Sequence, residues 1–368
     1  MTDIIISKIY IDKEVKDYPQ TSNILNKFSN IENQIIDSNE LYKIISKSKN
    51  PVDYGKKILF LTKNNGLFIK KCPGTKYYTC CGYYILHIGT YCFLDCSYCI
   101  LQSYFHPPVL QLFLNHNKLF SELNNMFENK TIHRIGTGEF TDSLIWEDIF
   151  DFSSLLVPVF SNQNSCVLEL KTKTTNIDHL KDIKHNRKTI ISWSLNTPYI
   201  IKTQERRTSS LTERLKAAKI CENLGYPLAF HFDPIILYEG CENEYKEVIE
   251  NLFSYVSSKN IVWISLGTFR YMPSLKKIIQ QRFKKSKIIY DEFIIGFDKK
   301  MRYFKPLRIK IYKEIINTIK EIAPDVIVYY CMEDDVVWKE TMGYLPQDKM
   351  GLDKILDLSA SEKCEILL

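Results

Sequence analysis

The chain has 368 residues, 45% of them hydrophobic and 25% charged, and a formal net charge of +6. This is an ordinary globular composition, which excludes a disordered or collagen-like chain, and it is basic enough to permit a polyanionic partner without demanding one. Eleven cysteines behind a start, Met1-Thr2-Asp3-Ile4, that lacks a basic and apolar leader argue against a secreted disulfide scaffold. No run approaches a membrane span, so no membrane is expected and the reducing cytoplasm is the expected home.

Residues 1–80 read as an N-terminal extension or cap. A short helix is expected from Glu40 to Lys47 with Leu41, Ile44 and Ile45 inward, then strands Ile58–Leu61 and Gly66–Ile69 around the turn Lys63-Asn64-Asn65. Cys72, Cys80 and Cys81 lead into an apolar run, Tyr83 to Gly89, which reads as a buried strand ending in a loop. From residue 81 to about 335 strand and helix signals alternate. The strands are Ile132–Gly136, Cys166–Lys171, Thr189–Leu195, Pro227–Pro234, Ile261–Leu266 and Val326–Tyr330. Helical patterns between them cover Lys118–Phe127, Ile145–Val157, Ile177–Ile183, Thr212–Leu224, Glu244–Val256, Met272–Phe283 and Ile309–Ile322. Near-continuous apolar strands separated by helices predict an α/β fold, a parallel sheet curled into a partial (β/α)6 TIM-like barrel, with residues 336–368 as a short tail. In such a barrel functional residues gather at the C-terminal ends of strands.

The loop after the first strand carries Cys92, Cys96 and Cys99 in a C-x3-C-x2-C pattern. Three thiolates on one loop can hold three irons of a cubane and leave the fourth open, whereas an electron-storage site uses four cysteines. A zinc loop or buried free thiols are the alternatives. Zinc would need a fourth Cys or His nearby, and the downstream candidate, His106, stands awkwardly before Pro107-Pro108. This spacing resembles that of the radical S-adenosylmethionine (SAM) enzymes, which bind SAM at the open iron of a [4Fe–4S] cluster. The following strand ends fit. Gly136-Thr137-Gly138-Glu139 allows close backbone approach and offers a carboxylate for an ammonium group, resembling the glycine-rich Glu motif for the SAM amino group. Lys173 can pair with the methionyl carboxylate, and the small polar groups around Ser194 and Asn196 suit a ribose. His231-Phe232-Asp233-Pro234 ends the fifth strand and reads either as facing the side expected for substrate or as a structural hydrogen-bonded pair.

The resemblance narrows further. Ile177-Asp178-His179-Leu180, Lys184 to Thr189, Ser194-Leu195-Asn196, Arg214 to Ala218, Gly225 to Leu228 and Tyr238-Glu239-Gly240 resemble the spore photoproduct lyase family, as does Ser97 to Gln102. The likeness spans about residues 83–335. It implies that Cys92, Cys96 and Cys99 ligate the cluster, that Lys173, Ser194 and Asn196 contact SAM, and that Tyr98 lies beside the cofactor. It implies radical cleavage of a cross-linked thymine dimer in DNA, with electrons from a partner such as flavodoxin or ferredoxin.

Two departures stand out. In that family a cysteine in the second-strand turn returns a hydrogen atom to the product radical, helped by a tyrosine after the third cluster cysteine. Here Glu139 and Ile100 occupy those positions, and neither has a comparably weak X–H bond. Cys72, Cys80, Cys81 and Cys331 form a group that reads as an auxiliary cluster, a zinc site, the source of a replacement donor (Cys331) or small buried hydrophobes. Between Lys276 and Arg308, lysines interleave with aromatics, a pattern suited to phosphates and bases or to a solvated face, and Arg302-Tyr303 resembles the pair that the lyase inserts at its lesion. A radical SAM enzyme on another substrate (small molecule, peptide or RNA) and a non-catalytic iron–sulfur or zinc protein are the competing expectations.

Overall fold

The computed structural model describes residues 6–75, 77–128 and 131–366. Its main sheet runs in sequence order through β1 (Tyr84–Leu86), β2 (His133–Gly136), β3 (Cys166–Thr172), β4 (Thr189–Ser194), β5 (Leu228–Ile235), β6 (Ile261–Thr268) and β7 (Val328–Tyr330). Every neighbouring pair in that run is parallel. Ile69–Lys71 adds an antiparallel strand on the outer edge of β1. Strands β3, β4 and β6 are buried almost throughout, as their unbroken apolar sequences require of strands covered on both faces. Among the described residues β1 and β7 do not pair, so the barrel stays open along one seam.

Helices His116–Phe127, Leu211–Asn223, Cys241–Tyr255 and Lys305–Ile322 follow the expected order. The last starts at Lys305 rather than Ile309, because Pro306 sits in the first turn, where its missing N–H costs nothing. Two expected helices differ. The one read from Ile145 begins only at Phe152 and runs to Ser161. Residues 143–149 turn instead, since Trp146 is buried with its indole N–H on Thr141 Oγ1 at 2.9 Å, and Asp151 caps the later helix at Ser154 N. The segment Ile177–Ile183 holds only a 3-10 turn, Asp178–Leu180. With Leu180 its one buried residue, it is too short to sustain an α-helix.

A second sheet has the order Asn33–Ile36, Lys8–Asp12, Ile58–Thr62, Leu110–Phe113, Gly89–Thr90. The two strands expected around Lys63-Asn64-Asn65 therefore part: Ile58–Thr62 lies in this sheet, Ile69–Lys71 in the barrel sheet. The segment from Lys8 to Thr62 shares this sheet with segments flanking the cysteine loop, and one apolar core continues from Ile9 and Leu59 into the barrel. Helix Ser38–Ser46 buries Leu41 and Ile45, four apart on one face, and leaves Ile44 exposed. At the other end of the chain, helix Leu352–Lys363 lies under the N-terminal ends of the strands. Ser359 Oγ donates to Val262 O at 2.5 Å, and Asp357 pairs with Arg134 Nε at 2.6 Å. The floor is closed, and the large cavity opens at the C-terminal mouth.

Candidate functional site

The cysteine loop leaves the end of β1 through Tyr91, whose φ of 71° turns the chain sharply. Its carbonyls are then pinned one by one. Buried Lys56 donates to Cys92 O at 2.8 Å and Leu94 O at 2.6 Å. Gln102 Nε2 donates to Cys96 O, Ser97 O and Cys99 O at 3.1, 3.2 and 3.3 Å. Asp95 N and Ser97 N donate to Arg206 O and Gln204 O, tying the loop to the end of helix Pro198–Gln204. The Asp95 carboxylate, paired with Arg282 at 2.9 Å and Lys56 at 3.5 Å, keeps a lowered pKa against the opposing effect of its burial.

This clamped loop aims Cys92, Cys96 and Cys99 into one cavity of about 340 Å³. Burial raises the Cys92 thiol pKa and pushes that of Cys96 up to about 12, so both are protonated without a metal. Three thiolates on one loop are one ligand short of tetrahedral zinc, whereas a cubane gives each thiolate its own iron and leaves one corner open. His106 does not reach the cavity; its Nε2 bonds to Ser103 O. The histidine that does line it, His231, is engaged at both nitrogens, by Ser265 Oγ and Glu169 Oε1, each at 2.6 Å. The donor set fits an open-cornered cubane.

Gly138, Glu139, Lys173, Ser194, Tyr98 and Cys331 line the same cavity. Asp142, from the turn after β2, sets the geometry there: its carboxylate accepts from Thr172 Oγ1 at 2.7 Å and from Lys173 N at 2.8 Å, fixing the end of β3. The Lys173 ammonium lies 5.9 Å from the Tyr98 ring centroid. The Tyr98 hydroxyl donates to Glu205, which is ion-paired with fully buried Arg214, and Arg214 Nη1 in turn donates to Ser194 O at 2.8 Å. A single buried relay thus couples the cysteine loop to the end of β4.

Two expected site residues are elsewhere. Asn196 does not line the cavity. Two residues past β4, it is buried with its amide on Pro234 O at 2.8 Å and its Oδ1 accepting from Tyr245 at 2.8 Å, so it shapes the next turn. Tyr303 is also remote from the cavity. It lies in the hairpin Phe293–Ile295/Met301–Tyr303, fully buried, stacked on Phe293 at 4.5 Å, its hydroxyl accepting from Leu237 N. Its neighbour Arg302 is locked to Asp298 at 2.7 Å. The hairpin instead exposes Ile295 and Phe297, at 70% and 71% of their surface.

Sequence reasoning missed the ion pairs of the cavity wall. Glu139 is bound by Lys171 from β3, and Arg270, just past β6, holds Asp233 through both nitrogens at 3.2 and 3.0 Å. The only available signal was their position at strand ends. Glu169 is buried, which opposes ionisation, yet the His231 contact takes its pKa down to about 2. Cys72, Cys80, Cys81 and Cys331 do come together, around a second, smaller cavity beside the first.

Comparison with known proteins agrees with this geometry. The family model described as spore photoproduct lyase matches residues 5–330. The spore photoproduct lyase of Bacillus subtilis (strain 168) is 26% identical over 300 residues, covering 77% of this chain and 84% of the relative. That of Geobacillus sp. (strain Y412MC61) is 28% identical over 214 residues, 57% of this chain and 63% of the relative. A solved cysteine-to-alanine mutant of spore photoproduct lyase with dinucleoside spore photoproduct superposes with a TM-score of 0.79 at 23% identity, covering 89% of this chain and 99% of that one. A double mutant with bound AdoMet and the same dinucleoside gives 0.78 at 22% over the same shares. The partial barrel is therefore that of these structures, and with a family match running from residue 5 to residue 330 the chain belongs to the spore photoproduct lyase family of radical SAM enzymes.

Proposed function

We propose that this chain is a carbon–carbon lyase that repairs a cross-linked thymine dimer in DNA, using SAM at a [4Fe–4S] cluster. The observation that carries the reading is the convergence of the Cys92, Cys96 and Cys99 thiols with Gly138, Glu139, Lys173 and Ser194 on one cavity. The cysteines would hold the cluster; Lys173 and Glu139 would hold the methionyl carboxylate and ammonium, and Ser194 the ribose side. When bound, the cofactor supplies a 5′-deoxyadenosyl radical by one-electron cleavage of its sulfonium bond. The chain's own part is orientation and exclusion of water. Lys56, Gln102 and Asp95 fix the loop, and the Arg214–Glu205–Tyr98 relay keeps Tyr98 packed against it. Deep burial of the thiols raises the cost of charge beside them, a setting that tunes the cluster.

DNA as the substrate is supported by the relatives' names and by the exposed Lys276, Lys277, Lys284, Lys285, Lys287 and Lys299, with Tyr290 and Phe297 exposed among them. Ile295 and Phe297, rather than Arg302 and Tyr303, are the hairpin residues available to wedge between bases. A small electron carrier of the flavodoxin or ferredoxin type would supply the reducing electron. The test is anaerobic reconstitution with iron and sulfide, followed by reductant, SAM and UV-irradiated DNA containing the lesion. Loss of the dimer is expected. Formation of 5′-deoxyadenosine with the dimer intact would overturn the substrate, and its absence in protein that carries the cluster would overturn the chemistry. Cys96→Ala serves as the control and should abolish the thiolate-to-iron absorbance.

A further inference from the structure

The barrel's open seam has β1 and its antiparallel neighbour Ile69–Lys71 on one side and β7 on the other. Cys72 follows that edge strand, Cys80 and Cys81 end the strap that returns to β1, and Cys331 follows β7. The strap crosses the seam: Thr79 N donates to Glu333 O at 3.3 Å, and the Tyr78 ring lies 4.2 Å from the Arg302 guanidinium. All four thiols line a cavity of about 20 Å³, room for one ion and not for a cubane.

Cys72 and Cys80 each stand two residues before a glycine at positive φ, Gly74 at +50° and Gly82 at +72°, a conformation that favours glycine and turns the chain sharply after each thiol. Arg270 Nη2 donates to Cys331 Sγ at 3.4 Å. A Cβ on Gly74 would come within 3.2 Å of Cys80 Sγ, so glycine there lets the two turns pack together. Arg134, Arg270 and Lys71 are the nearby cations, the first two already paired with Asp357 and Asp233. Donated N–H bonds and neighbouring cations are how proteins support thiolate ligands.

We propose that Cys72, Cys80, Cys81 and Cys331 bind a single thiophilic divalent ion of the zinc class, a staple across the seam that the sheet leaves unpaired. No three of these sulfurs lie within 4.8 Å of one another, so binding rotates the side chains inward, each thiol losing a proton to solvent as its bond to the metal forms. A metal-bound Cys331 has no S–H hydrogen to give, so this site and a hydrogen-donor role for Cys331 exclude each other.

The probe is Co²⁺, titrated anaerobically into the full chain carrying Cys92→Ala, Cys96→Ala and Cys99→Ala, which isolates this site from the proposed cluster. One equivalent with the intense bands of tetrahedral tetrathiolate cobalt is expected, and further Cys331→Ala or Cys80→Ala should weaken binding about tenfold or more. No thiolate–cobalt band, or a band indifferent to both substitutions, overturns the site. Wild-type protein gives a second measurement independent of variant folding. A chelator should raise alkylation of Cys72, Cys80, Cys81 and Cys331 in the zinc-loaded chain and leave buried Cys221 unchanged; equal labelling before and after chelation overturns it.

Discussion

In the proposed function Lys173 would hold the methionyl carboxylate of SAM. Its backbone is fixed by Asp142, its ammonium faces the cavity beside Tyr98, and a charge-assisted bond to a carboxylate contributes about 1.5–3 kcal/mol. Lys173→Ala should therefore weaken SAM binding to the reconstituted protein about 10- to 100-fold while leaving the cluster absorbance intact; unchanged affinity in an equilibrium binding assay would remove Lys173 from the site. At this scale the sequence was legible where a motif ends a strand: Cys92, Cys96, Cys99, Glu139 and Lys173 all reach one cavity. It was silent where a partner arrives from another strand. Nothing near Glu139 in the sequence announces Lys171, and nothing near Asp233 announces Arg270, because both pairs form only when strand ends are brought side by side. Asn196 and Tyr303 fail for the converse reason. Motif position named them, but the local fold turns both side chains inward, onto Pro234 and Tyr245 and onto Phe293.

Secondary-structure elements were readable in proportion to their burial. The strands of the barrel stand near their expected limits because covered parallel strands are unbroken apolar runs. The segments from Ile145 and from Ile177 carry apolar residues at helical spacing, yet one is held in turns by buried Trp146 and the other is a single 3-10 turn. The elements flanking the loop also carry two histidines with a consequence for acid stability. Burial brings the pKa of His87, just past β1, and of His116, at the start of helix His116–Phe127, down from 6.5 to about 4. Below pH 6.5 the unfolded chain takes up protons at these rings that the folded chain refuses until about pH 4. Stability should thus fall as pH drops through that window, by at most about 1.4 kcal/mol per pH unit for each ring. His87→Phe, which keeps the packing on Phe113 and Phe140, should flatten the decline measured by chemical denaturation; an unaltered slope would refute the assignment.

For the molecule as a whole, the mouth of the barrel is flanked by lysines that matter only if a polyanion lies across them. Replacing Lys284, Lys285 and Lys287 by Ala should lower the slope of log K against log salt for duplex binding by about 0.9 for each phosphate no longer neutralised. A slope equal to that of the wild type would mean that this face is merely solvated. The partial barrel was legible from the alternation of strands and helices. The interleaving of the N-terminal segment with Gly89–Thr90 and Leu110–Phe113 was not, because strand partners far apart in the chain leave no local trace.

The helix Leu352–Lys363 is made after every strand it covers, and its bonds reach back to Arg134 and Val262. During synthesis the underside of β2 and β6 must wait, apolar and uncovered, until this helix has emerged behind them. Maturation of the barrel is in this way deferred until well after its last strand is made, and a nascent chain stalled before this helix would offer chaperones a sticky, unfinished base.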